Sequence, residues 1–207
     1  MFAIDLTRLN DTKLSTDPFE FVIVPGFVKH DALAALHEDF PAVPGPGSFP
    51  ASILRYGAHF QCLMDELQGP EMRDAIERKF NVDLTNRPTM VTVRGRCRAE
   101  DGAIHTDSTT KIITALIYLN GKWQSPDGML RMLRGANDLE DYVAEVPPQD
   151  GTLLAFKRSD CSFHGHKSFV GERRSVQLNW VTDLRVVRRE LGRHRFSAWL
   201  KAINPFN

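Results

Sequence analysis

The residues with the clearest chemical potential form two short clusters in the second half of the chain. Of seven histidines, three stand in His105-Thr106-Asp107 and His164-Gly165-His166. In extended backbone, residues i and i+2 project to the same side. His105 and Asp107 can therefore aim an imidazole and a carboxylate at one point. A histidine from a distant strand would complete one face of an octahedron. Two histidines and one carboxylate, with three positions open, are the donor set of a non-haem Fe(II) site. His-x-Asp alone is a weak pattern, equally compatible with a surface histidine beside an acidic turn. Zinc accepts the same donors, so a zinc-dependent hydrolase built on His-Gly-His and His105 is a second reading. No nearby glutamate offers it a general base.

A further charged feature lies ten residues beyond His164. Arg174 sits inside the strand-like run RRSVQLNWV. An arginine pointing inward from such a run needs an anion to pair with. Its planar guanidinium matches a carboxylate held through two hydrogen bonds. Arg173 and Arg174 must face opposite ways. One of the two faces in and the other out. A zinc hydrolase gives no reason for that arginine.

These groups need a scaffold, and the chain changes texture to provide one. Residues 19–24 (FEFVIV) read as a strand stopped by Pro25-Gly26. A helix follows with Asp31 as N-cap and Leu33, Leu36 and Phe40 at helical spacing. Residues 41–50 contain four prolines and two glycines and read as a loop, a lid or a rim. Residues 61–68 and 70–80 read as helices, with Pro70 at the first helical position. From about residue 88 short apolar runs alternate with turns: TMVTVRGR, KIITALIYLN, DGMLRML, GTLLAFK and RRSVQLNWV. Helices followed by five or more short strands predict an α+β fold with a double-sheet β core. A last helix over 187–203 would dock Leu191, Trp199, Leu200 and Ile203.

Composition narrows the classes. The 207 residues suit one domain over 1–207, with helical support at about 1–87, a β core at about 88–183 and a closing helix at about 185–203. Twenty-six basic side chains balance 26 acidic ones, which disfavours a nucleic-acid or membrane-surface binder. No apolar run approaches the roughly 18 residues of a membrane span. The first residues lack a signal-peptide layout. Cys62, Cys97 and Cys161 are odd in number and far apart, against a disulfide framework. The expectation is a soluble, cytoplasmic protein.

The order His105-x-Asp107, His164, Arg174 resembles the 2-oxoglutarate- and Fe(II)-dependent dioxygenases, in particular their prolyl-4-hydroxylase-like branch. IHTDSTTKIITALIYLN, DGMLRML, VPPQDGTLLAFKRSDCSFHGH and GERRSVQLNW resemble that family's successive core strands, and FEFVIVPGFVKHDALAAL its opening strand and helix. The resemblance spans most of residues 19–182. It implies a double-stranded β-helix, or jelly roll, with N-terminal supporting helices and a C-terminal helix. It implies Fe(II) held by His105, Asp107 and His164. It also implies 2-oxoglutarate as co-substrate, with Arg174 and Tyr118 on its distal carboxylate, and O2 as oxidant. The implied reaction hydroxylates an unactivated C–H bond and releases succinate and CO2. His166 competes with His164 as third ligand, but the ten-residue spacing to Arg174 favours His164. The chain departs from the family before His105, where Arg96, Cys97 and Arg98 stand in place of a tyrosine. Arg96 and Arg98 share a strand face that could meet an anionic substrate. A jelly roll that binds without catalysis is the remaining alternative, opposed by the intact triad and arginine. Neither the substrate, small-molecule or peptidyl, nor the oligomeric state is legible.

Overall fold

The computed structural model describes residues 2–189 and 192. Four α-helices lead the chain: α1 (Leu6–Asp11), α2 (His30–Glu38), α3 (Ala58–Gln68) and α4 (Pro70–Phe80). Asp5 caps α1 by accepting from Arg8 N at 2.9 Å. Pro70 opens α4 at its first turn, and Asn81, in left-handed backbone, ends it. Lys29, not Asp31, is the N-cap of α2. Asp31 is the second helical residue, in the first turn, where its charge complements the helix dipole.

Among the described residues, nine strands make two sheets. The major sheet has the order β1-β7-β4-β9-β3-β2 and the minor sheet β6-β5-β8. In the major sheet these are β1 (Phe21–Val24), β2 (Ser48–Pro50), β3 (Thr89–Cys97), β4 (Lys111–Tyr118), β7 (Leu153–Lys157) and β9 (Gly171–Val181). The minor sheet holds β5 (Leu130–Leu133), β6 (Tyr142–Val146) and β8 (His164–Gly165). Every pairing is antiparallel. The fold is the α+β double-sheet core that the strand pattern predicts. The 41–50 loop ends in the edge strand β2, where Pro50 is tolerated because one side of an edge strand has no partner. Both β1 and β2 come from the N-terminal part of the chain, so helical support and β core interlock. Neither α1 nor β6 is visible in the apolar pattern: α1 is six residues long and β6 has Tyr142 exposed at its start.

The faces of the major sheet differ. One face carries Val22, Val24, Val91, Val93, Ile113, Ala115, Ile117, Leu153, Ala155, Val176, Leu178 and Trp180, all in the main core. The helices cover it with Leu36, Phe60, Leu63, Met64, Leu67, Met72, Ile76 and Phe80. Each large apolar side chain buried there contributes roughly 1.5–3 kcal/mol. The other face looks toward the minor sheet. Phe21, Leu154 and Phe156 pack on Leu130, Met132 and Val146 in a second apolar cluster. Over β4, β9 and β3 that inner face is largely polar and bounds a cavity. Residues 184–189 are helical. The rest of the helix expected over 187–203, with Leu191, His194, Trp199, Leu200 and Ile203, lies outside the described residues.

Candidate metal centre

Backbone pairing brings the two histidine clusters together. His105 N donates to His164 O at 3.0 Å, and His164 N donates to His105 O at 3.0 Å. The two rings face each other across this bridge with centroids 4.4 Å apart. Asp107, two residues on, joins them, and the ligand atoms of His105, Asp107 and His164 lie within 4.8 Å of one another. Asp107 and His164 are buried and His105 is exposed, so the group opens to one side.

The donor set is prepared for a cation. His105 Nδ1 lies 2.8 Å from Ala103 O, and His164 Nδ1 lies 3.0 Å from Ser162 O. A carbonyl only accepts, so each Nδ1 carries the proton and each Nε2 keeps a free lone pair. Burial, against the pull of Asp107, lowers the His164 pKa to about 4. The imidazole is therefore neutral and able to ligate at neutral pH. Burial pushes the Asp107 carboxyl up, but the Lys111 ammonium, His164 and two hydrogen bonds outweigh it and hold it below the usual carboxylate range. Lys111 Nζ donates to Asp107 Oδ1 at 2.7 Å and Thr114 Oγ1 to Oδ2 at 2.5 Å. The residues fit a divalent metal of the non-haem iron type.

His166 stands apart from this group. Its Nδ1 bonds its own neighbour, Lys167 O, at 2.8 Å, and burial together with the nearby Arg173 lowers its pKa to about 4. Gly102, with φ +101°, closes against it, and a Cβ at Gly102 would collide with the His166 ring. His166 N donates to Gly102 O at 2.9 Å. His166 is thus a wall of the cavity, held by the loop that leads into His105.

The cavity measures about 420 Å³ and is bounded by His105, Asp107, His164, Tyr118, Arg173, Arg94, Lys111, Thr92, Ser175 and Gln177 among others. Here the inward arginine is Arg173, a correction to the expected Arg174. Arg173 is buried, donates Nε to Gly128 O at 2.8 Å, and has Nη2 3.4 Å from the Tyr118 hydroxyl. Among the described residues it has no carboxylate partner. Arg174 turns outward, pairs with Glu172 at 2.9 Å and lies over the Phe40 ring. The reason is register. Val176, Leu178 and Trp180 fill the helix-covered face, and Arg174 shares their parity; Arg173, Ser175, Gln177 and Asn179 share the other. Tyr118 is fully buried beside Arg173. Burial raises its pKa and the Arg173 guanidinium opposes the rise.

A second correction concerns β3. Arg96 and Arg98 are exposed, and Arg98 pairs with Glu100 and Asp101. A bulge between Arg94 and Arg96 breaks the register with β9. It is Arg94 that lines the cavity, bonded to Asp101 at 2.8 Å. Its parity with Thr92, opposite Val91 and Val93, is the sequence signal for that placement. Cys161 is exposed, with Sγ 3.7 Å from Pro18 O.

Residues 95–182 match the 2OG-Fe(II) oxygenase superfamily. No curated protein matches the sequence. Among solved structures, a Pseudomonas putida prolyl-4-hydroxylase is 22% identical, with 87% of this chain and 92% of that chain covered and a TM-score of 0.52. A prolyl 4-hydroxylase from Phytophthora capsici is 16% identical over 87% and 66% of the two chains, with a TM-score of 0.59. HygX from Streptomyces hygroscopicus, with nickel and 2-oxoglutarate bound, is 15% identical over 78% and 82%, with a TM-score of 0.53. These likenesses give the fold, a jelly roll.

Proposed function

We infer that this chain, whose residues 95–182 match the 2OG-Fe(II) oxygenase superfamily, is such an oxygenase and holds Fe(II) through His105, Asp107 and His164 and 2-oxoglutarate through Arg173 and Tyr118. The observation that carries the reading is the convergence of two histidines, each with Nδ1 on a carbonyl and Nε2 free, and one ionised carboxylate on a cavity that also holds an arginine with no carboxylate partner among the described residues. A buried guanidinium left so is costly until an anion arrives. The C5 carboxylate of 2-oxoglutarate is the matching anion, and the Tyr118 hydroxyl stands ready to donate a second bond to it. Loaded with iron, 2-oxoglutarate and O2, such a site supplies oxidative decarboxylation to succinate and CO2 coupled to hydroxylation of a C–H bond.

The chain's own residues orient and exclude. Lys111 and Thr114 hold both oxygens of Asp107. The Gly102 loop and His166 wall one side of the cavity. Thr92, Arg94, Asp101 and Gln177 form a polar wall nearby, which supports a substrate with hydrogen-bonding groups next to its reacting carbon. Whether that substrate is a small molecule or a peptidyl residue, as the names of the prolyl hydroxylases suggest, is decided by a screen. Three unpaired cysteines support a reducing compartment such as the cytoplasm. No helix among the described residues is long and apolar enough to cross a membrane.

The experiment is anaerobic titration of the metal-free protein with Fe(II) and then 2-oxoglutarate, followed by charge-transfer absorbance. A screen of candidate substrates for coupled succinate release comes next. Formation of the band in the parent and its loss in Asp107→Ala is the expected result. No band in the parent would sink the reading.

A further inference from the structure

We propose that Asn179 and Thr114 form a donor chain that sets the Asp107 carboxylate for the metal, with the Asn179 amide turned so that its NH2 faces Thr114. This rests on Asp107 being a metal ligand. Thr114 on β4 and Asn179 on β9 are cross-strand partners on the inner face. They are 1% and 0% exposed. Thr114 Oγ1 lies 2.5 Å from Asp107 Oδ2 and 3.0 Å from Asn179 Oδ1. Gln177 Nε2 lies 3.1 Å from the same Asn179 oxygen. In that arrangement Asn179 Nδ2 is buried with no partner.

Proton counting makes this arrangement untenable. A threonine hydroxyl has one proton and cannot give it to two acceptors. The carboxylate, being charged, is the stronger claimant. Asn179 Oδ1 is then left against a hydroxyl oxygen with no proton between them, while its NH2 has nothing to bond. A half-turn of the amide exchanges its two ends, and their bonding decides between the two orientations. Nδ2 then donates one hydrogen to Thr114 Oγ1. It donates the other to Gln177 Oε1 when that amide turns in the same way. Thr114 in turn donates to Asp107. One carbonyl oxygen is left without a partner, and an underused carbonyl is tolerated more readily than a buried orphan N–H.

The chain acts on the metal site through one atom. Asp107 Oδ2 is fixed by Thr114 and Oδ1 by Lys111, so the carboxylate cannot rotate about its last bond. Thr114 and Asn179 are positioning residues. Loss of groups that orient a metal ligand weakens metal affinity by about 10–100-fold.

The test uses the full chain, metal-free, titrated with Co(II). Thr114→Val should weaken Co(II) binding by about 10–100-fold, and Thr114→Ser should bind close to the parent. Asn179→Leu should weaken binding by less than Thr114→Val. Because Asn179 acts through Thr114, the double variant should bind no worse than Thr114→Val alone. Additive losses would overturn the chain. NMR of the metal-free protein decides the amide orientation. The Asn179 side-chain NH2 resonances should shift in Thr114→Val; if they stay put, the NH2 does not face Thr114 and the proposal fails. That measurement stands even if Asn179→Leu does not fold. A parent that binds no Co(II) would refute the ligand assignment instead, and the NMR result would still report the orientation.

Discussion

The two faces of the major sheet are made from the same strands by alternate residues, yet they answer to different physics. On β9 the helix-covered face is Val176, Leu178 and Trp180, while the cavity face is Arg173, Ser175, Gln177 and Asn179. On β4 the corresponding sets are Ile113, Ala115 and Ile117 against Thr114, Leu116 and Tyr118. The first face is held by burial of apolar area and tolerates exchange of one hydrophobe for another of similar volume. The second is held by hydrogen bonds and charges whose partners arrive in part only with metal and co-substrate. An interior polar face of this kind adds little to stability and is where the chemistry is placed. The comparison predicts that cavity-face changes alter ligand binding while helix-face changes alter stability.

The adjacent arginines give the largest expected contrast. Removing one partner of a buried, hydrogen-bonded charge pair costs about 2–5 kcal/mol. Arg173→Ala should therefore weaken 2-oxoglutarate binding by roughly 30- to several-thousand-fold, at about 1.4 kcal/mol per tenfold. Its effect on iron affinity should be much smaller. Arg174→Ala, which loses a half-exposed pair with Glu172 and the contact over the Phe40 ring, both away from the cavity, should bind 2-oxoglutarate as the parent does. Titration of both variants, read by the charge-transfer band, checks this. Equal losses in the two would break the distinction between faces.

The same two arginines show what was legible in the sequence. The order of ligands, the strand runs of β3, β4, β5, β7 and β9 and the helix opened by Pro70 can be read directly, since turn residues and periodicity are local signals. The convergence of His105 and Asp107 followed from the i, i+2 rule. An inward Arg174 would require the apolar parity of β9, Val176, Leu178 and Trp180, to face the cavity. It faces the helices, and no local feature of RRSVQLNWV says which face they cover. That Arg94, and not Arg96 or Arg98, lines the cavity depends on a bulge in the pairing with β9, a long-range event with no local signal. Thr114 and Asn179 looked like ordinary strand residues; their roles exist only across the β4–β9 pairing.

On the helix-covered face, Trp180→Ala should lower stability by about 3–5 kcal/mol through lost burial and the cavity left behind. Chemical denaturation measures it. The fraction that remains folded should bind Co(II) nearly as the parent does, because Trp180 points away from the metal group. A loss of metal affinity as large as that of Thr114→Val would show that the faces are coupled.

Acid should act on the cavity face first. In the metal-free protein the pKa of His164 is lowered from 6.5 to about 4 by burial, and that of His166 likewise. Below pH 6.5 the unfolded chain takes up protons that the folded chain refuses until about pH 4. The unfolded state thus binds more protons in that window, and stability falls as pH falls through it. The loss from His164 alone is on the order of 3 kcal/mol at 1.36 kcal/mol per pH unit. Melting temperatures of chelator-treated protein from pH 8 to pH 5 test this, the expected result being little change above 6.5 and a steady fall below. A flat profile to pH 5 would mean that both imidazoles reach water in the folded state.

The smallest effect separates two readings of Tyr118. Its ring is part of the inner apolar cluster, and its hydroxyl stands 3.4 Å from Arg173 Nη2. Tyr118→Phe keeps the ring and deletes only the hydroxyl. If that hydroxyl serves only packing, stability and 2-oxoglutarate affinity both stay near the parent. If it donates to the co-substrate carboxylate, one hydrogen bond to a charged group is lost, about 1.5–3 kcal/mol at most. The 2-oxoglutarate Kd should then rise by about ten- to a hundredfold, less than for Arg173→Ala because the charge pairing survives. Stability without ligand should change little, since the 3.4 Å contact with Arg173 is long and Arg173 keeps its bond to Gly128 O. The Kd ratio between Tyr118→Phe and the parent, with iron held saturating, therefore tells a residue of the cavity face from a residue of the core.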